Sequence, residues 1–331
     1  MAVTGPRTLA RVELARLPTP LQEAPRLAAA LGVAGRLLVK RDDLTGFAFA
    51  GNKARPLEMI LADARLHDAD VLVTGGAPSS NFCAAAAAAA RWAGMLCVLV
   101  YAGTAEPAGP VHPNLAAARH WGAAVRWSGS SERDSVDGRL DVVAAELTGT
   151  GRTPYVVPRG AASPLGAVGF LAAAHELVDQ LEATGPDVRG NVAAVIATGS
   201  GGSTAGLLAA TGAQPRLRVL GAAVSRPPDE TTPRIRSLAE AAAGLAGAPA
   251  PDHSRLQLID ARGPGHGLPS AEGSAAADLA LQTEGLVLDP AYTAKALAAL
   301  PELLGERRRD PGACTVFWHT GGLLDSVAEW L

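Results

Sequence analysis

Apolar residues fall in short continuous runs, separated by alanine-rich stretches of helical spacing, almost from end to end of the chain. The runs Leu37–Lys40, Val71–Thr74, Leu96–Tyr101, Val125–Trp127, Tyr155–Val157, Val192–Ala197, Leu217–Ala223, Leu256–Ile259 and Cys314–Trp318 predict strands. Between them Leu57–His67, Ala84–Trp92, Asn114–Trp121, Leu165–Ala183 and Ala205–Ala210 predict helices. Strands apolar along their whole length are buried on both faces, and their alternation with helices indicates parallel sheets in an α/β protein. The most apolar stretch, Cys83 to Val100, is mostly alanine and contains Arg91 and Gly94. It reads as a buried helix running into a strand, because a membrane span needs roughly 20 strongly apolar residues.

Three strands run into glycine clusters. Val71–Thr74 leads into Gly75-Gly76-Ala-Pro-Ser-Ser-Asn81, Val192–Ala197 into Thr198-Gly-Ser-Gly-Gly-Ser-Thr204, and Val316–Trp318 into His319-Thr-Gly-Gly322. Ligands of open parallel sheets bind outside the carboxyl ends of the strands. The three turns therefore predict one site built from several loops. Gly199-Ser-Gly-Gly-Ser-Thr204 suits an anion, since glycines admit close backbone approach and the following helix offers free N–H groups. Taken alone, the segment is equally a strand-to-helix turn without a ligand. A dinucleotide fingerprint would need glycine at 204, where Thr stands, and an acid ending the next strand, which ends at Ser225.

Composition narrows the classes. A length of 331 residues suggests two domains, and 48% hydrophobic with 18% charged residues marks a globular chain. A formal net charge of -3 and few aromatics give no footprint for nucleic acid. Cys83, Cys97 and Cys314 are spread widely without a C-x-x-C pair, and the histidines lack metal-ligand spacing. Neither a disulfide framework nor a metal site is expected. The N-terminus carries Arg7, Arg11 and Glu13 without an apolar core, so no signal peptide is expected, and the three cysteines are expected to be the reduced ones of a cytoplasmic protein.

The segment Gly46-Phe-Ala-Phe-Ala-Gly51-Asn52-Lys53 imitates a P-loop and fails it, because Asn52 separates the glycine from the lysine and Ala54 follows. Pro56 belongs in a first helical turn, which puts Lys53 at a helix start. The helix dipole and burial both disfavour an ammonium there. An amine that is easily neutralised can form an imine with an aldehyde. A lysine at a helix start is otherwise a solvated surface residue.

The stretch Lys40-Arg-Asp-Asp-Leu-Thr-Gly-Phe-Ala-Phe-Ala-Gly-Asn-Lys53 resembles the D-cysteine desulfhydrase and 1-aminocyclopropane-1-carboxylate (ACC) deaminase family, within the tryptophan-synthase-β-like, fold type II pyridoxal-phosphate enzymes. The likeness continues through Leu17-Pro-Thr-Pro20, Thr74-Gly-Gly76 with Ser80-Asn81, Gly199–Gly206, Gly263-Pro-Gly-His-Gly267, Leu288-Asp-Pro-Ala-Tyr-Thr293 and His319-Thr-Gly-Gly322. The resemblance implies two open, twisted, mostly parallel sheets with helices on both faces, pyridoxal 5'-phosphate as cofactor, and a homodimer. It makes Lys53 the Schiff-base lysine and the carrier of the Cα proton. Asn81 would bond the cofactor phenolate, and Ser80 would contact the substrate carboxylate or act as nucleophile. Thr198, Gly199, Ser200, Gly201, Gly202 and Ser203 would hold the phosphate, with Thr320 near the pyridine nitrogen and Tyr292 facing substrate as an acid or base. The cradle and Thr320 lie far from Lys53 yet must meet one cofactor. That implies a larger cofactor domain of residues 1–55 and 160–331, with a smaller α/β domain, 56–159, inserted.

Four positions depart from the family pattern. Phe82 stands where His or Gln is usual, His266 replaces a tyrosine, Gly160-Ala-Ala-Ser163 replaces Gly-Gly-Ser-Asn, and Thr293 matches the desulfhydrase branch where ACC deaminases carry Glu. His266 brings a ring that ordinarily titrates near 6.5 to a place expected to hold a phenol, and it is read as a catalytic residue facing substrate, with a hydrogen-bonded structural histidine as the alternative. No carboxylate is evident around Thr293 and Thr320 to keep the ring nitrogen protonated. A weaker electron sink favours loss of a β-substituent over transamination, so the expected activity is a lyase or deaminase giving a 2-oxo acid and ammonia. ACC ring opening, β-replacement, and a catalytically silent pyridoxal-phosphate-binding protein are the alternatives.

Overall fold

The computed structural model describes residues 9–106, 109–132, 134–183 and 191–328. Ten strands form among the described residues: β1 (Leu21–Glu23), β2 (Arg36–Arg41), β3 (Val71–Gly76), β4 (Leu96–Tyr101), β5 (Ala124–Trp127), β6 (Pro154–Val156), β7 (Val192–Thr198), β8 (Leu217–Ala223), β9 (Leu256–Asp260) and β10 (Cys314–His319). The nine apolar runs are all strands. Only β1 carried no signal: Leu21-Gln22-Glu23 is a three-residue edge that pairs antiparallel with β2 and is buried at no position.

The helices are α1 (Pro25–Leu31), α2 (Ala54–Leu66), α3 (Asn81–Trp92), α4 (Pro113–His120), α5 (Ser135–Gly149), α6 (Pro164–Ala183), α7 (Gly202–Ala209), α8 (Pro228–Ala246), α9 (Ala271–Glu284), α10 (Thr293–Leu304) and α11 (Leu323–Ala328). Among the described residues no helix is long and apolar enough to cross a membrane. The stretch from Cys83 to Val100 is a buried helix followed by a strand, α3 then β4.

Two sheets result, a six-stranded one ordered β1-β2-β10-β7-β8-β9 and a four-stranded one ordered β5-β4-β3-β6. Apart from β1, every pairing is parallel. Helices cover both faces of the larger sheet. Successive side chains of a strand point to opposite faces, and the core divides accordingly. Leu38, Val316 and Trp318 join Phe170, Leu177, Leu207 and Ile235 on one side. Leu37, Val39 and Phe317 join Leu27, Leu297 and Leu300 on the other. In the smaller sheet the alanines of α3 pack with Leu72 and Leu99 on one face, while Val71, Val73, Val98 and Val100 meet Val136 and Leu140 on the other.

The strand order places the chemistry. In register, Arg41 of β2 lies beside His319 of β10, and β10 lies beside β7. The loops leaving β2, β10 and β7 are therefore neighbours at one carboxyl edge, where the glycine cluster leaving β3 of the smaller sheet meets them.

Candidate active site

Lys53 is presented by a tightly determined loop. Gly51 to Lys53 form a single 3-10 turn that passes directly into α2. Gly51 has φ +54°, and a β-carbon there would stand 2.3 Å from the carbonyl oxygen of Thr320. Gly321 (φ +96°) meets it with a hypothetical β-carbon 2.9 Å from the Gly51 Cα. Only glycines allow this approach. Asn52 N–H seals it, donating to the Thr320 carbonyl at 2.9 Å.

Beneath the loop lies a buried ionic network. Arg55, on the first turn of α2, grips Asp42 with Nε and a terminal nitrogen at 2.8 Å each, and its guanidinium also reaches both oxygens of Glu176 at 2.9 Å. Lys40 Nζ donates to the Thr19 carbonyl at 2.7 Å and pairs with Glu176, while Trp318 Nε1 donates to Asp42 at 2.8 Å. Charges buried this completely hold only when paired and hydrogen-bonded. The network fixes where α2 starts, and with it Lys53.

Lys53 opens onto a cavity of about 370 Å³. Burial pushes its pKa down to about 8 and the nearby Asp289 carboxylate acts to raise it. The opposite wall is the turn from Gly199 to Ser203, which ends in α7. Gly201 has φ +94°, and a β-carbon on Gly199 would touch the Tyr292 ring at 3.0 Å. The first N–H groups of α7 have no partner within the helix, and the glycines at its start leave room beside them for an anion of phosphate size. Asn52 Nδ2 donates to Ser203 Oγ at 3.1 Å, tying the lysine loop to this cradle. An amine of depressed pKa and a backbone anion cradle, fixed to one another across one cavity, fit an aldehyde that carries a phosphate.

Ser80, Asn81 and Phe82 enter from the four-stranded sheet at the start of α3, where Ser80 Oγ accepts from Cys83 N–H at 3.2 Å. His266, Tyr292 and Thr320 complete the lining, the His266 and Tyr292 rings meeting edge to face at 6.1 Å. Thr198 is the one expected cofactor residue set behind the wall; its hydroxyl lies 2.9 Å from that of Thr204.

Two features escaped the sequence reading. The expectation that no carboxylate stands near Thr293 and Thr320 is corrected by Asp289, which is buried, lines the cavity and lies against Gly322. Its oxygens accept from Tyr292 N–H at 2.8 Å, Thr293 N–H at 2.9 Å and Thr293 Oγ1 at 2.6 Å, so it caps α10 and also occupies the Thr293 hydroxyl. Burial raises its pKa while those hydrogen bonds act to lower it. The spacing Asp289-Pro-Ala-Tyr-Thr293, an acid ahead of a helix start, was the available signal. Asn114, buried at the start of α4, bonds Asn81 from behind at 2.7 Å, and nothing in the sequence joined two residues so far apart.

The family model described as pyridoxal-phosphate dependent enzyme matches residues 12–321. D-cysteine desulfhydrases of Salmonella typhi and Salmonella paratyphi B are each 36% identical over 319 residues, covering 94% of both chains. A crystal structure of an ACC deaminase homologue superposes with a TM-score of 0.84 at 33% identity, covering 96% of this chain and 93% of that one.

Proposed function

Because the chain belongs to the pyridoxal-phosphate dependent enzymes, we propose that it is a lyase of the D-cysteine desulfhydrase type, releasing a β-substituent from a small amino acid to leave a 2-oxo acid and ammonia. The observation that carries this is Lys53, an amine with a pKa near 8, tied through Asn52 to the glycine cradle across one cavity. Pyridoxal phosphate, when bound, supplies an electron sink for the pair left on Cα once its proton is removed.

The chain's own residues divide the remaining work. Gly199, Ser200, Gly201, Gly202 and Ser203 hold the phosphate with backbone N–H groups and hydroxyls. Lys53 Nζ would anchor the cofactor and is the amine that would take the Cα proton. Ser80 would receive the substrate carboxylate, and the Asn81 amide would bond the phenolic oxygen. Thr320 offers the pyridine nitrogen a neutral hydroxyl, since the Asp289 carboxylate is engaged by α10. Tyr292 and His266, whose rings meet edge to face, would supply the proton that a leaving group needs. Phe82, almost fully buried, narrows the site and keeps water from it.

The same reading takes residues 1–55 and 160–331 as the cofactor domain and 56–159 as the inserted one. The six-stranded sheet draws on both ends of the chain, which supports this reading. A homodimer in the cytoplasm completes the proposal, in keeping with three free, buried cysteines. The test is a screen of small L- and D-amino acids bearing β-thiol, chloro or hydroxyl groups, read as 2-oxo acid, on material whose sedimentation gives its mass. Turnover of a β-thiol substrate by a dimer is expected. Absence of 2-oxo acid from every substrate, with pyridoxal phosphate bound, would overturn the lyase reading.

A further inference from the structure

Behind Asn81 the Asn114 amide nitrogen faces three oxygens: Asn81 Oδ1 at 2.7 Å, Asp325 Oδ1 at 2.8 Å and the Ser79 carbonyl at 3.1 Å. Asn114 is 1% exposed, and among the described residues its own Oδ1 has no hydrogen-bond partner. Amide orientation is assigned from the network around it. A carbonyl and a carboxylate can only accept, so the Asn114 atom that faces both is its nitrogen. That nitrogen also faces Asn81, which must therefore turn its oxygen away from the cavity. The Asn81 NH2 is left for the cavity side, where the first residue of α3 lines the wall.

Asn114 is itself held from the other sheet. Asp325 lies on α11, which follows β10 and the Gly321–Gly322 turn, whereas Asn114 opens α4 beside the smaller sheet. His112 caps α4, its Nδ1 accepting from Asn114 N–H at 3.3 Å, so its ring proton sits on Nε2, 3.7 Å from the Asp325 carboxylate.

We propose that Asn114 is a positioning residue: held by Asp325 across the two sheets, it fixes the Asn81 amide so that an N–H points at the phenolic oxygen of pyridoxal phosphate. The inference rests on the reading of Asn81 as the partner of that oxygen. An N–H aimed at a phenolate favours the ionised form. Losing the donor raises the pH at which the bound cofactor changes its visible spectrum. A hydrogen bond to a charged group is worth about one pH unit or somewhat more.

The experiment is a spectrophotometric pH titration of the loaded protein for wild type, Asn81→Ala, Asn114→Asp, Asn114→Ala and Asp325→Asn, alongside the melting temperature of each cofactor-free protein. Asn114→Asp keeps size but offers only acceptors, so the Asn81 amide should turn its NH2 inward. Its titration midpoint should rise by about one unit, matching Asn81→Ala. Asn114→Ala frees the amide and should give a smaller rise. Asp325→Asn keeps an oxygen for Asn114 and should titrate like wild type. A moved midpoint in Asn81→Ala with both Asn114 variants unmoved overturns the positioning role. An unmoved midpoint in Asn81→Ala overturns the assignment of Asn81 itself, and the inference with it. Should Asn114→Asp not fold, a wild-type midpoint in folded Asn114→Ala is sufficient to reject the proposal.

Discussion

Lys53 titrates at an ordinary 10.5 in an unfolded chain and near 8 in the folded protein. Between those values the unfolded chain binds the extra proton, so stability rises with pH across that window. Below it, the folded protein carries the full cost of a buried ammonium, up to about 3 kcal/mol, since each pH unit between the two values is worth about 1.4 kcal/mol. Lys53→Met should therefore make the cofactor-free protein more stable at pH 7, with the advantage fading as pH climbs towards 10.5. Urea unfolding at pH 7 and pH 9.5 measures this, and a loss of stability at pH 7 would contradict a depressed amine. The place of Lys53 at a helix start was legible from Pro56, and its expected role came from the family resemblance carried by Lys40–Lys53. Asp289 was not legible, because an acid before a proline also reads as a loop residue until its oxygens are seen accepting from Tyr292 and Thr293 N–H.

Elements explain why His266 can be in the site at all. In the turn Gly263–Gly267, Gly263 and Gly265 have φ +60° and +154°. Lys295, buried on α10, supplies the anchor by donating Nζ to the Arg262 carbonyl at 2.6 Å and the Gly265 carbonyl at 2.9 Å. If the His266 ring transfers a proton, His266→Ala should cost well over tenfold in turnover, since general acid–base effects run to about 10²–10⁴-fold. Lys295→Met, which removes the anchor but keeps the chain length, should then cost about tenfold through misplacement. The double variant should fall no further than His266→Ala, because both act on one ring. Additive losses would separate the loop anchor from the ring. A two- or threefold loss for His266→Ala would leave the histidine a structural role. Apolar runs made nine strands legible, whereas β1 and the Lys295 tether were not, since neither depends on local periodicity.

At the scale of the molecule, parallel strands alternating with helices and three glycine clusters at strand ends were enough to place one site at one edge. They could not supply the strand order, which sets β2, β10 and β7 side by side although they come from the beginning, the end and the middle of the chain. Long-range pairing is written in packing and register and leaves no local pattern to read. That order brings Lys53 against the Thr320 loop and the Gly199–Ser203 cradle, so the two ends of the chain and the helix α3 close on one cavity.

The central claim is that this cavity binds pyridoxal phosphate through Lys53, and reduction tests it directly. Protein loaded with pyridoxal phosphate is treated with borohydride, digested, and its peptides are mapped by mass. Loss of the visible band and a pyridoxyl group fixed on Lys53 are expected, with no fixed label in Lys53→Ala. A label on Lys40, Lys295 or any other amine, or a band that survives reduction, would contradict it.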